Sequence, residues 1–272
     1  RVPSAVTYAM RNLEESLDLT LFERQGRRSV LTQAGQRVLE QARSILSEAR
    51  NLDRLADELG GQWEPTVQVV ADGALPITSI VQGIQSFLAR GLPTRVRLDV
   101  ECQDGVLERF QRDHAQLMLT LDFDRELGTF TLIRLPILEM VLVVSPKHPV
   151  SEMESLEKSQ LDGYLELVVK DTASKFLDTP RGSFMGLQHV IYLPDFHAKR
   201  EAILAAIGFG WVPYHVVKDD LITGRLKLID VVDGNRWTYH PRLVHRSTEP
   251  LGPAGILLAE DLQAAFNDPE SK

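Results

Sequence analysis

Cysteine is almost absent: Cys102 is alone among 272 residues. No intramolecular disulfide can therefore staple the fold, and the chain suits a reducing compartment, so a cytoplasmic location is expected. Long apolar runs are missing as well. The runs present, such as Met140 to Val144, fall far short of the roughly 20 residues that span a bilayer as a helix, so no membrane partner is expected. No charged segment followed by an apolar one opens the chain, so no secretory leader is expected. Positive charge is short: 30 Lys and Arg against 38 Asp and Glu give a net −8. An acidic chain repels nucleic acid as a whole, so any contact with DNA must be local and oriented.

Catalytic patterns are also lacking. Gly182-Ser183 and Gly186 do not flank a serine as a nucleophile elbow requires. Gly208-Phe209-Gly210 precedes an apolar strand rather than joining a strand to a helix, so it is no dinucleotide fingerprint. The seven His are scattered, and His240 with His245 has no Cys or acid at ligand spacing. Cys102 has no second cysteine to resolve an oxidised form. The expectation is a non-enzyme with no metal and no cofactor.

What is present is uneven. Residues 1–32 hold five Arg (1, 11, 24, 27, 28) against Glu14, Glu15, Asp18 and Glu23, a local +1, which leaves −9 for the rest. Val6, Met10, Leu13 and Leu17 recur at spacings of four, three and four, one face of a helix, with Ser4 as a candidate N-cap. A short helix cannot bury its own face, so further helices are expected to precede it. Asp18 to Thr32 then reads as a short hairpin with Gly26 at its tip and Arg24, Arg27 and Arg28 around it. Helix followed by basic hairpin is the layout of a winged helix-turn-helix, with the helix in the major groove and the wing on phosphates.

The run Ser4-Ala5-Val6, Leu13-Glu14, Leu17, Leu21-Phe22-Glu23-Arg24, Arg27-Arg28 and Leu31-Thr32-Gln33-Ala34-Gly35 resembles the head of LysR-type transcriptional regulators. That resemblance implies DNA contacts at Ser4, Thr7, Tyr8 and Arg11 of the helix and at Arg24, Arg27, Arg28 and Thr32 of the wing. It also implies a bacterial regulator with double-stranded promoter DNA, a small-molecule effector and a second copy of itself as partners. Homodimers are expected to pair into a homotetramer, and RNA polymerase is a further expected partner.

From Thr32 to Leu59 the pattern is helical without a break and stops at Gly60-Gly61. Val38, Ala42, Ile45, Ala49, Leu52, Ala56 and Leu59 alternate spacings of four and three, a heptad seam with alanine at every second position. A helix of ~42 Å at 1.5 Å per residue is longer than a small domain needs, so it reads as a homodimer helix.

Beyond Pro65 strands and helices alternate, which argues parallel sheets with helical crossovers. The expected strands are 66–71, 94–101, 115–121, 129–135, 138–145, 165–169, 188–193, 209–212, 225–229 and 236–246. The expected helices are 77–89, 105–112, 195–207 and 252–266. This order resembles the two-lobed, periplasmic-binding-protein-like (type 2) effector domain of the same family. The expected fold class is α/β, with a partial winged helix-turn-helix at 1–32 and a dimerisation helix at 33–61. The first lobe is expected at 66–137 and 237–272, and the second at 138–236.

Ligands of open α/β sheets sit beyond the carboxyl ends of the strands. The candidate effector contacts are therefore Asp72, Gly73, Ala74, Gln103, Asp104 and Thr120 in the first lobe. Ser145, His148, Ser174, Phe196 and His197 are their counterparts in the second. Asp72 and Asp104 read first as helix N-caps and second as ligand contacts; in the second case they favour a cationic or hydroxyl-rich effector. Lys147 and His148 leave ligand charge open. The leading reading is an effector-modulated, sequence-specific DNA-binding regulator. The alternative is a solute-binding protein without DNA-binding activity.

Overall fold

The computed structural model describes residues 5–25, 28–59, 63–123, 129–174 and 185–268. They belong to two compact units, one within Arg1–Gly60 and one within Gly61–Lys272. The first contains α1 (Ala5–Leu17), β1 (Phe22–Gln25), β2 (Arg28–Leu31) and α2 (Gln33–Leu59). β1 and β2 pair antiparallel from Phe22 opposite Leu31 to Gln25 opposite Arg28. The hairpin tip expected at Gly26 lies outside the described residues.

Backbone hydrogen bonding explains this small unit. The Glu14 carboxylate accepts the Leu21 and Phe22 N–H groups at 2.7 and 3.1 Å, which fastens the end of α1 to the start of the hairpin. Thr32 Oγ1 donates to the Thr20 carbonyl at 2.7 Å and accepts the Gly35 N–H at 2.9 Å, capping α2. At Gly35 a Cβ would lie 2.1 Å from the Leu21 carbonyl oxygen, so the helix can approach the hairpin only with glycine there. Leu21 is buried by that approach.

In the second unit the elements are β3 (Thr66–Asp72), α3 (Ile77–Leu88), β4 (Arg95–Glu101), α4 (Asp104–Arg112), β5 (Leu117–Thr120), β6 (Phe130–Arg134) and β7 (Leu138–Val144). There follow β8 (Glu166–Val169), β9 (Val190–Leu193), α5 (Phe196–Leu204), β10 (Phe209–Pro213), α6 (Tyr214–Ile222), β11 (Lys227–Leu228), β12 (Arg236–Tyr239), β13 (Arg242–Arg246) and α7 (Pro253–Asn267). Two sheets form, one per lobe: β4-β3-β5-β13-β6, and β11-β7-β10-β8-β9 with β12 also on β7. β3 is parallel to β4 and β5, and β13 runs antiparallel between β5 and β6.

β3 is covered on both faces, one apolar and the other carrying Val70 between the buried, hydrogen-bonded Gln68 and Asp72. Val67, Val69 and Ala71 meet Ile80 and Phe87 of α3 and Leu258 and Leu262 of α7. Val70 meets Val106 and Phe110 of α4 on the other side. β7 does the same in the second lobe, with Met140, Leu142 and Val144 facing one cluster and Val141 and Val143 the other. Each of the buried Val, Leu, Ile, Phe and Met side chains contributes about 1.5–3 kcal/mol of burial. Glu64, just ahead of β3, accepts the N–H groups of Ala254 and Gly255 at 2.8 and 3.0 Å and so caps α7 with a carboxylate.

The chain crosses between sheets twice, at Pro136 and at His240-Pro241. The single strand expected over 236–246 is two: β12 pairs with β7 in the second sheet and β13 with β5 in the first. Proline cannot donate to a ladder, and Pro241 marks the switch. Trp237 to Tyr239, expected in the first lobe, therefore belong to the second sheet. Helix α6 is absent from the elements expected on sequence. Among the described residues no helix is long and apolar enough to cross a membrane.

Candidate functional site

Two surfaces carry the candidate chemistry. On the head, α1 buries none of its side chains. Thr7, Tyr8 and Arg11 lie on it exposed, Tyr8 at 66%. Arg11 also holds Glu15 at 3.1 Å one turn on; both are open to solvent, so the pair is worth little and a phosphate can displace it. Arg24 projects from β1 exposed. Ser4 and Arg27 lie outside the described residues, as does the side chain of Arg28. Thr32 needs a correction: its hydroxyl proton goes to Thr20 and its lone pair to Gly35, so it shapes the hairpin–helix corner rather than offering a donor to phosphate.

The second surface is a cleft of about 870 Å³ between the lobes. The first lobe lines it with Gly73, Leu75 to Thr78, Gln82 and Val100 to Cys102; the second with Thr172, Pro194 to His197, His215, Val216, Lys218 and Asp219. Among these described residues the walls carry three carboxylates and one ammonium. The Glu101 carboxylate accepts from Arg109 at 2.9 Å, and Asp195 caps α5 by accepting the Ala198 N–H at 2.7 Å. Burial pushes His215 down to about 4, so it stays neutral at pH 7. Burial pushes the Cys102 thiol up to about 12, which keeps it a thiol and inert.

Of the sequence-proposed effector contacts, Gly73, Phe196 and His197 line this cleft. The others do not. Asp72 is 3% exposed and serves as a clamp: one oxygen accepts the Ala74 N–H at 2.8 Å, the other the Gln103 N–H at 3.0 Å. Burial pushes its pKa up to about 6. Neither aspartate is an N-cap: Pro76 and Gln103 occupy the N-cap positions of α3 and α4, without a side-chain capping bond, and Asp104 is the first residue inside α4. Gln103 donates its side-chain amide to the Val169 carbonyl at 3.3 Å. Ala74 is buried among second-lobe apolar residues, and Thr120 is buried at the end of β5. Ser145 and His148 follow β7, which runs antiparallel to β10 and hence to β8, so they emerge at the opposite edge from the loops after β8 and β9. His148 Nδ1 there accepts the Val150 N–H at 3.3 Å. Ser174 gives its N–H to Glu108 at 2.7 Å, outside the cleft walls.

His215 and Lys218 were missed with α6. The available signal was Tyr214, Val217 and Leu221, spaced three and four after a proline. Among the described residues no group of three His, Cys, Asp or Glu is placed to hold a metal.

Known proteins give the same division. A model described as the LysR substrate binding domain matches residues 60–267, and one described as the bacterial regulatory helix-turn-helix protein, lysR family, matches residues 1–36. The chain belongs to the LysR family of transcriptional regulators. LysR-type regulators are DNA-binding transcription factors with an effector-binding domain and are not enzymes.

Among relatives, the probable HTH-type transcriptional regulator YhaJ of Escherichia coli is 30% identical over 231 residues, spanning 84% of this chain and 77% of that protein. The regulator AceR of Acinetobacter baumannii is 26% identical over 96% of this chain and 87% of its own. Among solved structures, full-length LysG from Corynebacterium glutamicum with bound effector Arg superposes with a TM-score of 0.61 at 17% identity, over 97% of this chain and 88% of that one. ArgP from Mycobacterium tuberculosis also gives 0.61, at 15% identity, over 98% and 88%. These two share the LysR fold.

Proposed function

We propose that this LysR-type regulator binds promoter DNA as a homodimer in the cytoplasm and that a small molecule in the interlobe space changes how it does so. Thr7, Tyr8 and Arg11, with Ser4 ahead of them, face base edges in the major groove. Arg24, Arg27 and Arg28 lie on phosphates as the wing. The single observation that carries this reading is the pairing of an exposed polar helix face with a short hairpin bearing Arg24, in a chain whose other residues sum to −9. Residues 1–32 serve as the head, 33–61 as the dimerisation helix and the rest as the effector domain. Paired dimers and contact with RNA polymerase follow as later steps. The cleft's excess of carboxylates favours an effector that presents hydroxyl or cationic groups. Its binding biases the arrangement of subunits, and so the spacing of heads on DNA.

The test is fluorescence anisotropy of the protein on its own promoter at several salt concentrations, beside Arg24→Ala. Each phosphate contact removed should shallow the log–log salt slope by about 0.9. Equal, weak binding to promoter and random DNA would favour the solute-binding alternative.

A further inference from the structure

The lobes touch directly where the loop from β4 into α4 meets the loop after β8. Cys102 donates its N–H to Thr172 Oγ1 at 2.9 Å, and Cys102 O accepts from the Thr172 hydroxyl at 3.2 Å and from the Thr172 N–H at 3.3 Å. Gly105 shares its N–H between Asp171 Oδ1 and the Cys102 carbonyl, each at 3.2 Å, and the same Asp171 oxygen accepts the Ala173 N–H at 2.8 Å. A Cβ on Gly105 would fall 1.9 Å from Thr172 Oγ1 and 2.8 Å from the Thr172 carbonyl carbon, so only glycine admits this approach. Gln103, a non-glycine residue at φ +55°, is held there by Asp72 on its N–H and Val169 on its side chain.

α4 is nine residues long; Val106 gives its N–H to the Gln103 carbonyl at 3.2 Å and Gly105 shares its own, so it is the positive end of the helix dipole that suits an anion. Here the other lobe supplies one. We propose that Asp171 is a specificity-determining latch: the chain's own carboxylate fills the anion position at the start of α4, closes the lobes, and excludes a carboxylate-bearing effector from that end of the cleft. This goes past the reading above, which left the effector's anchoring undefined, and it rests on that reading only in calling the interlobe space the ligand site. The sequence spacing hid it, since Gly105 and Asp171 are 66 residues apart.

Hydrogen exchange on the full chain tests this, following peptides that cover residues 100–107 and 170–175. Asp171→Ala should speed exchange in both segments by about tenfold or more, because a charge-assisted bond across the lobes is lost. Sodium acetate should slow both again, and sodium chloride at equal ionic strength should not, since acetate replaces the missing carboxylate. Gly105→Ala should open the same segments without acetate rescue, because its Cβ blocks the approach itself. Unchanged exchange in Asp171→Ala, or equal responses to acetate and chloride, would overturn the latch. Promoter binding measured on the same variants keeps the two readings separate, because the latch needs no DNA and the regulator reading needs no latch.

Discussion

Asp72 lies at the end of β3 with its two oxygens on the Ala74 and Gln103 N–H groups; the Asp171 carboxylate pushes its pKa up, and Asp72 in turn pushes up that of the Cys102 thiol. Burial outweighs those hydrogen bonds and lifts its pKa from 3.8 to about 6. The folded protein therefore holds this proton more tightly than the unfolded chain does. The stability it contributes is complete below about pH 4, declines as pH rises to about 6, and stays lost above that. Asp72→Asn removes this titration, so the gap between wild-type and variant melting temperatures should change across that window and level off above it. Parallel curves from thermal melts over the whole range would show that Asp72 is solvated and not a clamp. The sequence marked Asp72 as important but gave it the wrong role. Its partner Gln103 is 31 residues away, and no local pattern records that the two loops meet.

At the scale of elements, most helices and most strands were legible because periodicity is local. α2 begins within one residue of its expected start, since Thr32 caps it as its type suggests. The failures have physical causes. α6 is short and covered on several sides by α5, β7 and β10, so it shows little contrast between faces. β12 and β13 read as one strand because a sheet switch leaves the apolar pattern unbroken. The seam of α2 is exposed where described: Ile45 at 61% and Leu52 at 66%, with Ala49 open between them, while Val38 and Ala42 are half-buried. The side chains of Ala56 and Leu59 lie outside the described residues. Exposed Ile and Leu at heptad spacing on one helix match a partner helix. Ile45→Asp with Leu52→Asp should convert dimer to monomer in sedimentation equilibrium and lower promoter affinity at least tenfold, because each head then binds without its neighbour. A variant that sediments as wild type would place the dimer contact elsewhere.

For the whole molecule, the charge map and the two-sheet topology together explain the division of labour. The acidic second unit repels phosphate and leaves the small basic head as the surface that DNA can approach. Alternating strands and helices made the α/β class legible, whereas the division into two lobes came only with the family resemblance. The cleft's walls were less so: they assemble from four loop groups and α6, and β7 runs against the strands beside it, so Ser145 and His148 end at the opposite edge. Pocket chemistry of this kind depends on strand direction, which apolar patterning does not encode. If paired heads read the DNA, hydroxyl-radical footprinting on the chain's own promoter shows it. Two protected tracts spaced by whole helical turns, about 10–10.5 base pairs or a multiple, are expected, fading in Arg24→Ala. Uniform cleavage along the promoter at protein concentrations that saturate dimer formation would contradict it.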